Sequence, residues 1–271
     1  MHGNLLKKIG TLCVICFLAA ACATVPITGR RQVSLIPADT IVSMSYQQYD
    51  EFLAEHEPVR DTEEAAMVRN VGRDIADAVE TYMRQNGMED QLQHYDWEFQ
   101  LVEDEAVNAW CMPGGKVVVY SGILPVARGK EGLAVVMGHE IAHAVANHGN
   151  ERMSQGMLAQ MGGIALSEAL QTHPATTRQL WMTAYGVGTQ VGLMLPYSRL
   201  HEKEADRLGL IFMAMAGYDP RVAEDFWTRM AGQKEGGAPP EFLSTHPADD
   251  TRIANIRRLI PEAMQYYRRS Q

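Results

Sequence analysis

The chain has 271 residues, with 24 Lys and Arg against 33 Asp and Glu, a formal charge of −9. Its 46% hydrophobic content supplies a packed core for one domain or at most two small ones, and excludes collagen-like, coiled-coil and disordered classes. The acidic balance offers no concentrated basic face to meet phosphate, so nucleic acid is not an expected partner.

In chain order, the first element reads as a processing signal, residues 1–21. Lys7 and Lys8 precede an apolar run of thirteen residues, Ile9 to Ala21. That is too short for a comfortable transmembrane span and right for the core of a signal peptide. It ends in Leu18-Ala19-Ala20-Ala21-Cys22, which resembles a bacterial lipobox, so Cys22 is the expected lipidation site. The other reading is an ordinary secretory peptide cut after an Ala-x-Ala stretch. Cys13 and Cys16 leave with the signal, and Cys111 is then the one cysteine of the body, so no intramolecular disulfide framework is expected. The remaining chain carries 22 basic against 33 acidic groups. Membrane attachment is therefore expected from lipid rather than from a polybasic patch.

Residues 22–38, with Pro26, Gly29 and Pro37, read as an extended lipid-anchored arm, and residues 39–271 as a single domain. Helices are expected over about 39–55 and 62–85, the second opened by cap residues Asp61-Thr62-Glu63-Glu64. The alternation in Trp97-Glu98-Phe99-Gln100-Leu101-Val102 predicts a half-buried strand, and Lys116 to Tyr120 a second. Between them, Asn108-Ala109-Trp110-Cys111-Met112 reads as extended, turned by Pro113-Gly114-Gly115. Pro113 favours an edge position, since it cannot donate a ladder hydrogen bond. After Gly122 helices are expected over about 129–148, 151–170, 176–194, 198–216, 219–231 and 248–268, with Gly236 to Pro240 as a loop. The expected class is α+β, mainly helical, with a small antiparallel sheet.

The most informative string is His139-Glu140-Ile141-Ala142-His143. Two His four apart share one helical face, so both imidazoles meet a single cation, while Glu140 reaches a water beside it. That arrangement suits zinc chemistry in which the carboxylate takes the water's proton. The third ligand is expected downstream, in Ser198-Arg199-Leu200-His201-Glu202-Lys203-Glu204-Ala205-Asp206. Glu202 and Asp206 lie four apart on one face, so that one binds metal and the other receives the second N–H of a ligand His. His201 is the rival ligand, and Glu204 points elsewhere. His148, five residues past His143, lies off the ligand face, with a surface or supporting role.

These motifs resemble family 48 of the metallopeptidases, the HtpX-like, OMA-type and CaaX-prenyl-protease-like zinc endopeptidases. The resemblance runs from Pro26-Ile27-Thr28-Gly29-Arg30-Arg31 to Ser244-Thr245-His246-Pro247. It rests on Asn108-Ala109 before Pro113-Gly114-Gly115, on Val119-Tyr120-Ser121-Gly122, on His139 to His143 with His148, and on Glu202-x-x-Ala205-Asp206. It implies a zincin-type domain whose active-site helix carries the His-Glu-x-x-His motif. One Zn2+ per chain would sit on His139, His143 and Glu202, with Glu140 as general base, Asp206 behind a ligand, and no organic cofactor. It further implies that Asn108, Ala109, Trp110, Cys111 and Met112 form an edge strand beside the cleft, where substrate backbone adds; plain packing of Trp110 and Met112 is the competing reading. Cys111 is a small apolar filler or a redox-sensitive position. His246 either terminates a loop before Pro247 or, as in BepA-type members, approaches the metal as a fourth ligand. Tetratricopeptide repeats of those members have no counterpart before Gln271. The implied function is hydrolysis of misfolded or unassembled cell-envelope proteins by a protease facing the periplasm, at the outer membrane where the host has one. The alternative is a chaperone-like assembly factor with a mostly closed zinc site.

Overall fold

The computed structural model describes residues 22–233 and 240–270. The expected signal segment 1–21, and all of the Gly236 to Pro240 loop except Pro240, lie outside the described residues. The chain divides into two compact units, residues 1–37 with 150–196 and residues 38–149 with 197–271.

The smaller unit begins with strands β1 (Cys22–Thr24) and β2 (Arg31–Val33), paired antiparallel with Cys22 opposite Val33. The stretch read as an extended arm therefore folds back on itself. Its turn follows Pro26, with positive φ at Ile27 and Gly29, and the Val25 N–H donates to Arg30 O at 2.9 Å. The rest of this unit is helical. Arg30 grips Glu151 with two guanidinium hydrogen bonds of 2.9 and 2.7 Å, and the Leu35 N–H donates to Ser154 Oγ. Further along, the Tyr185 hydroxyl donates to Ala159 O at 2.7 Å. A Cβ on Gly162 would stand 2.3 Å from that hydroxyl oxygen, so the helix pair meets where a side chain is missing. Met161, Ile164, Leu180, Trp181, Val187 and Val191 stand exposed here.

The larger unit opens with α1 (Ala38–Glu55), β3 (Pro58–Val59) and α2 (Glu63–Gln85). Thr62 caps α2 by accepting the Ala65 N–H at 3.1 Å, as its sequence predicts. Strands β4 (Glu98–Val102), β5 (Ala109–Met112) and β6 (Lys116–Tyr120) follow, and the sheet order is β3-β4-β6-β5. The sheet is mixed, which corrects the antiparallel expectation: β6 runs parallel to β4 and antiparallel to β5. Residues 103–108 carry the chain past the slot beside β4. The tight return at Gly114 and Gly115, both at positive φ, then inserts β6 into that slot. β5 is left at the edge, as Pro113 suggested.

The next helices are α3 (Lys130–Val145), α4 (His148–Ala169), α5 (Ala175–Thr189), α6 (Leu195–Met215), α7 (Val222–Gly232), α8 (Glu241–Thr245) and α9 (Asp250–Ser270). α4 and α6 each run across the division between the units. α3 is apolar on every side and must be enclosed; nearly all of Gly132 to Val145 is buried, and the helix packs on α2, β5 and α7. It meets α6 at a glycine pair. A Cβ on Gly209 would lie 2.8 Å from Gly138 C and 2.8 Å from His139 N, and one on Gly138 would lie 2.9 Å from Gly209 O. These are backbone atoms that cannot swing aside.

In a free helix, Gly→Ala stabilises by about 1 kcal/mol. Here the sign should reverse: Gly209→Ala is expected to lower stability by about 1–3 kcal/mol, the usual cost of overpacking. Urea unfolding followed by circular dichroism reads the difference, and a variant more stable than the parent would refute the close crossing.

Candidate metal centre

Four side chains converge where α3 crosses α6. His139, His143, Glu202 and His246 each offer a ligand atom, all within 4.8 Å of one another. His139 Nε2 is 3.1 Å from His143 Nε2 and 3.1 Å from His246 Nδ1. Glu202 Oε1 lies 3.3 Å from His143 Nε2, and Glu202 Oε2 lies 3.4 Å from His139 Nε2 and 2.9 Å from His246 Nδ1. His139 and His143 arrive from successive turns of α3, Glu202 from α6, and His246 from the residue that ends α8.

This donor set fits a divalent cation. Four ligands arranged tetrahedrally at about 2.0–2.1 Å from an ion stand roughly 3.3 Å from one another, close to the spacings observed. Imidazole and carboxylate are the donors zinc favours. Ring nitrogens 3.1 Å apart with facing lone pairs repel unless a proton or a cation lies between them. An unpartnered atom points the same way: Glu140 Oε1 is buried and has no hydrogen-bond partner, although His246 Nε2 is 3.5 Å away. A buried carboxylate oxygen without a partner is costly, and it sits one helical residue from His139.

The electrostatics follow from burial and proximity. Burial raises the Glu140 pKa above the ordinary glutamate value, with the His246 and His139 charges opposing. Burial alone would raise Glu202 too, but hydrogen bonds with His139, His143 and His246 hold it far below the usual carboxylate range. Burial depresses His143 well below the normal imidazole value, leaving it neutral. Burial and the Arg252 charge also press His139 down. There Asp206 and Glu202 more than offset them, and its pKa is raised to about 9.

Asp206 stands behind the cluster. Its Oδ1 is 3.1 Å from His139 Nδ1, the nitrogen turned away from the other donors. Arg252, which the sequence reading passed over, completes this layer. It donates to Asp206 through Nη2 at 2.6 Å and Nε at 3.1 Å, and Nη1 lies 3.2 Å from Glu202 Oε2. Its guanidinium carbon stacks 3.4 Å from the centre of the Trp227 ring. One signal was available: Arg252 lies in the first turn of α9, where the helix dipole disfavours a cation.

His201 is not part of the cluster; its ring stacks on His148 with centroids 4.2 Å apart. His148 is 1% exposed, so it is no surface residue, and it lies between His143 and Glu204. Asn108 to Met112 lead into and form β5, at the sheet edge and against α3. The Trp110 ring packs edge-on to Phe52 at 5.0 Å, so part of that segment does plain packing. Burial, and after it the Glu140 charge, push the Cys111 thiol well up, which disfavours the reactive thiolate.

The sequence profile of Peptidase family M48 matches residues 69–260, a span that contains every side chain of the cluster. The chain is similar to mitochondrial metalloendopeptidase OMA1 of Schizosaccharomyces pombe, 32% identical over 240 residues, or 88% of this chain and 66% of that protein. It is 30% identical over 245 residues to the human mitochondrial metalloendopeptidase OMA1, covering 89% of this chain and 46% of the relative. With a putative beta-barrel assembly-enhancing protease of Vibrio cholerae it shares 33% identity over 175 residues, 62% of this chain and 35% of the relative. The chain thus spans about a third to two thirds of the length of these relatives. The matched profile covers well over half of the chain, and on that ground the chain belongs to peptidase family M48, a family of metal-dependent peptidases.

Proposed function

We propose that the chain is a zinc-dependent endopeptidase, with one Zn2+ held by His139, His143 and Glu202 and with Glu140 as general base. The observation that carries this reading is the convergence of those three donors beside the buried, unpartnered Glu140 Oε1. When bound, zinc supplies Lewis acidity, lowering the pKa of a water to about 7. Glu140 then has two tasks: its carboxylate accepts the proton of the attacking water and later delivers it to the leaving amine. Its raised pKa suits the first step, because a more basic carboxylate takes the proton more readily. Asp206 and Arg252 hold His139 and Glu202 in place.

Substrate backbone would add to β5, the edge strand against α3, through Ala109 to Met112. Such pairing reads little side-chain sequence, which suits unfolded or misassembled proteins. The beta-barrel assembly-enhancing relative supports envelope proteins as the substrate class and the bacterial envelope as the setting. Cys22 is the proposed lipid attachment point, facing the periplasm. Exposed Met161, Ile164, Leu180 and Trp181 in the unit that contains β1 support a membrane-proximal setting. No helix of the described residues is long and apolar enough to cross a membrane.

His246 favours a second aspect of the reading, a resting state that is closed. Its Nδ1 lies within 2.9–3.0 Å of both Glu202 oxygens. The segment is fastened by Phe242, which is fully buried against Trp227 and whose N–H donates to Val107 O at 3.2 Å. Withdrawing a buried Phe costs about 1.5–3 kcal/mol, enough to keep the open form a minority. A chain held closed most of the time would act as an assembly factor more than as a protease.

Purified chain should contain one zinc by elemental analysis, and His139→Ala should lose both metal and hydrolysis of an unfolded protein. Glu140→Gln should keep the zinc while losing at least roughly 10²-fold in hydrolysis, the low end for a positioned acid–base group. Normal turnover in Glu140→Gln would sink the mechanism. For the closed state, His246→Ala should keep the metal and cleave unfolded casein faster than the parent. Equal or slower cleavage, with full zinc content, would return His246 to a loop residue before Pro247.

A further inference from the structure

Behind His143, on the side away from the cluster, lies a chain of buried polar contacts that hydrolysis as described leaves unused. His143 turns Nε2 toward Glu202. Its other nitrogen, Nδ1, is 2.9 Å from His148 Nδ1, and His148 Nε2 is 3.0 Å from Glu204 Oε2. His148 is 1% exposed and Glu204 5%, and the His201 ring covers one face of His148 at an interplanar angle of 15°.

The protons in this chain can be assigned in one way. To hold a cation, His143 must offer the lone pair of Nε2, so the neutral ring carries its proton on Nδ1. Two N–H groups cannot face each other at 2.9 Å, which makes His148 Nδ1 the acceptor. Neutral His148 then carries its proton on Nε2 and donates it to the Glu204 carboxylate. Glu204 selects the tautomer of His148, and His148 selects that of His143. The alternative order would have His148 donating from Nδ1, leaving its Nε2 lone pair against the carboxylate of Glu204 and taking Nε2 of His143 out of use.

We infer that His148 and Glu204 are a positioning relay that fixes the tautomer and ring orientation of His143 from behind the cluster. This rests on the reading of His139, His143 and Glu202 as a metal site. The two histidines of α3 are then backed unequally: His139 meets the carboxylate of Asp206 directly at 3.1 Å, whereas His143 reaches a carboxylate through an intervening imidazole. The stacked His201 ring keeps the His148 ring from turning about its own axis, so the relay is held by packing and by hydrogen bonds together. His148 offers no ligand atom to the cluster; its effect passes through His143.

Zinc affinity of the full chain, read by competition with a chromogenic chelator, tests the relay without any turnover. His148→Ala should weaken zinc binding about 10–100-fold, the usual cost of losing a partner behind a ligand. His148→Asn should recover most of that loss, because its amide oxygen lies near the former Nδ1 and accepts from the His143 N–H. Wild-type affinity in His148→Ala overturns the inference, and so does an equal loss in the Ala and Asn variants, which marks simple packing. Should the variants unfold, 15N spectra of histidine-labelled wild-type chain still decide: His148 protonated on Nε2 supports the relay, and on Nδ1 overturns it. The two readings fail separately. A parent chain that takes up no zinc overturns the metal site, while the His148 tautomer in that same chain continues to judge the relay.

Discussion

The contact between Gly138 and Gly209 sets the distance on which everything at the centre depends. Helices that carry side chains at their crossing pack about 8–10 Å apart. Here neither helix has a side chain at the crossing, and a Cβ on Gly209 would fall 2.8 Å from the opposing backbone. His139 follows Gly138 directly, and Asp206 lies three residues before Gly209, nearly one turn. The close approach is therefore felt immediately on both sides of the cluster. Side chains of fixed length bridge the gap only because the two backbones come this near: His139 Nδ1 to Asp206 at 3.1 Å and His139 Nε2 to Glu202 at 3.4 Å. A methyl group at this crossing would push apart the same atoms that the donor set needs together.

Once the helices are that close, charge has to be settled inside the protein. Glu140, Glu202 and Asp206 bring three carboxylates, and Arg252 brings one guanidinium. With the histidines neutral, these four groups leave two negative charges, and Glu204 behind His148 adds a further carboxylate. Unpaired buried charges are costly to the fold. Two routes of relief are visible in the side chains themselves: the His139 pKa is raised to about 9, and that of Glu140 is also raised. The first shift is the work of Asp206 and Glu202, whereas the second comes from burial. An excess of negative charge suits a cation, and Arg252 limits it by pairing with Asp206, the carboxylate behind His139.

Much of this was legible in the sequence, for physical reasons that can be named. A repeat of four along a helix puts side chains on one face, so His139 with His143, and Glu202 with Asp206, could be read as two half-sites without knowing how they meet. Helix periods and capping residues likewise located α1, α2 and α3 closely. What the sequence does not carry is the partner across space. Gly138 and Gly209 look like ordinary helix-weakening residues until their helices cross. Glu204 was read as pointing away from the metal; it points to His148, and neither residue has a local pattern that announces the other. Arg252 sits in a polar stretch that resembles an exposed helix start, and only its position against the helix dipole hinted otherwise. The sheet was misread because alternation reports which face of a strand is buried and is silent on direction. The parallel pairing of β4 with β6 comes from the path of residues 103–108.

In the proposed function, enzyme and assembly factor would be two populations of one arrangement, and α8 would link the switch to the proposed substrate strand. His246 occupies a place among the donors, while Phe242, four residues earlier, donates its N–H to Val107 O just before β5 begins. The same short helix α8 therefore ties the cluster to the start of the edge on which a peptide would add. Moving α8 would free the position held by His246 and release the Val107 carbonyl in one displacement. A peptide that paired with β5 and required that carbonyl would compete directly with Phe242, so substrate would bind better to the form in which His246 has left. On that proposal opening would need no separate signal: binding along the edge strand would offset the burial of Phe242, so the closed form would yield to chains with free backbone and stay shut to folded proteins, whose backbone is already paired.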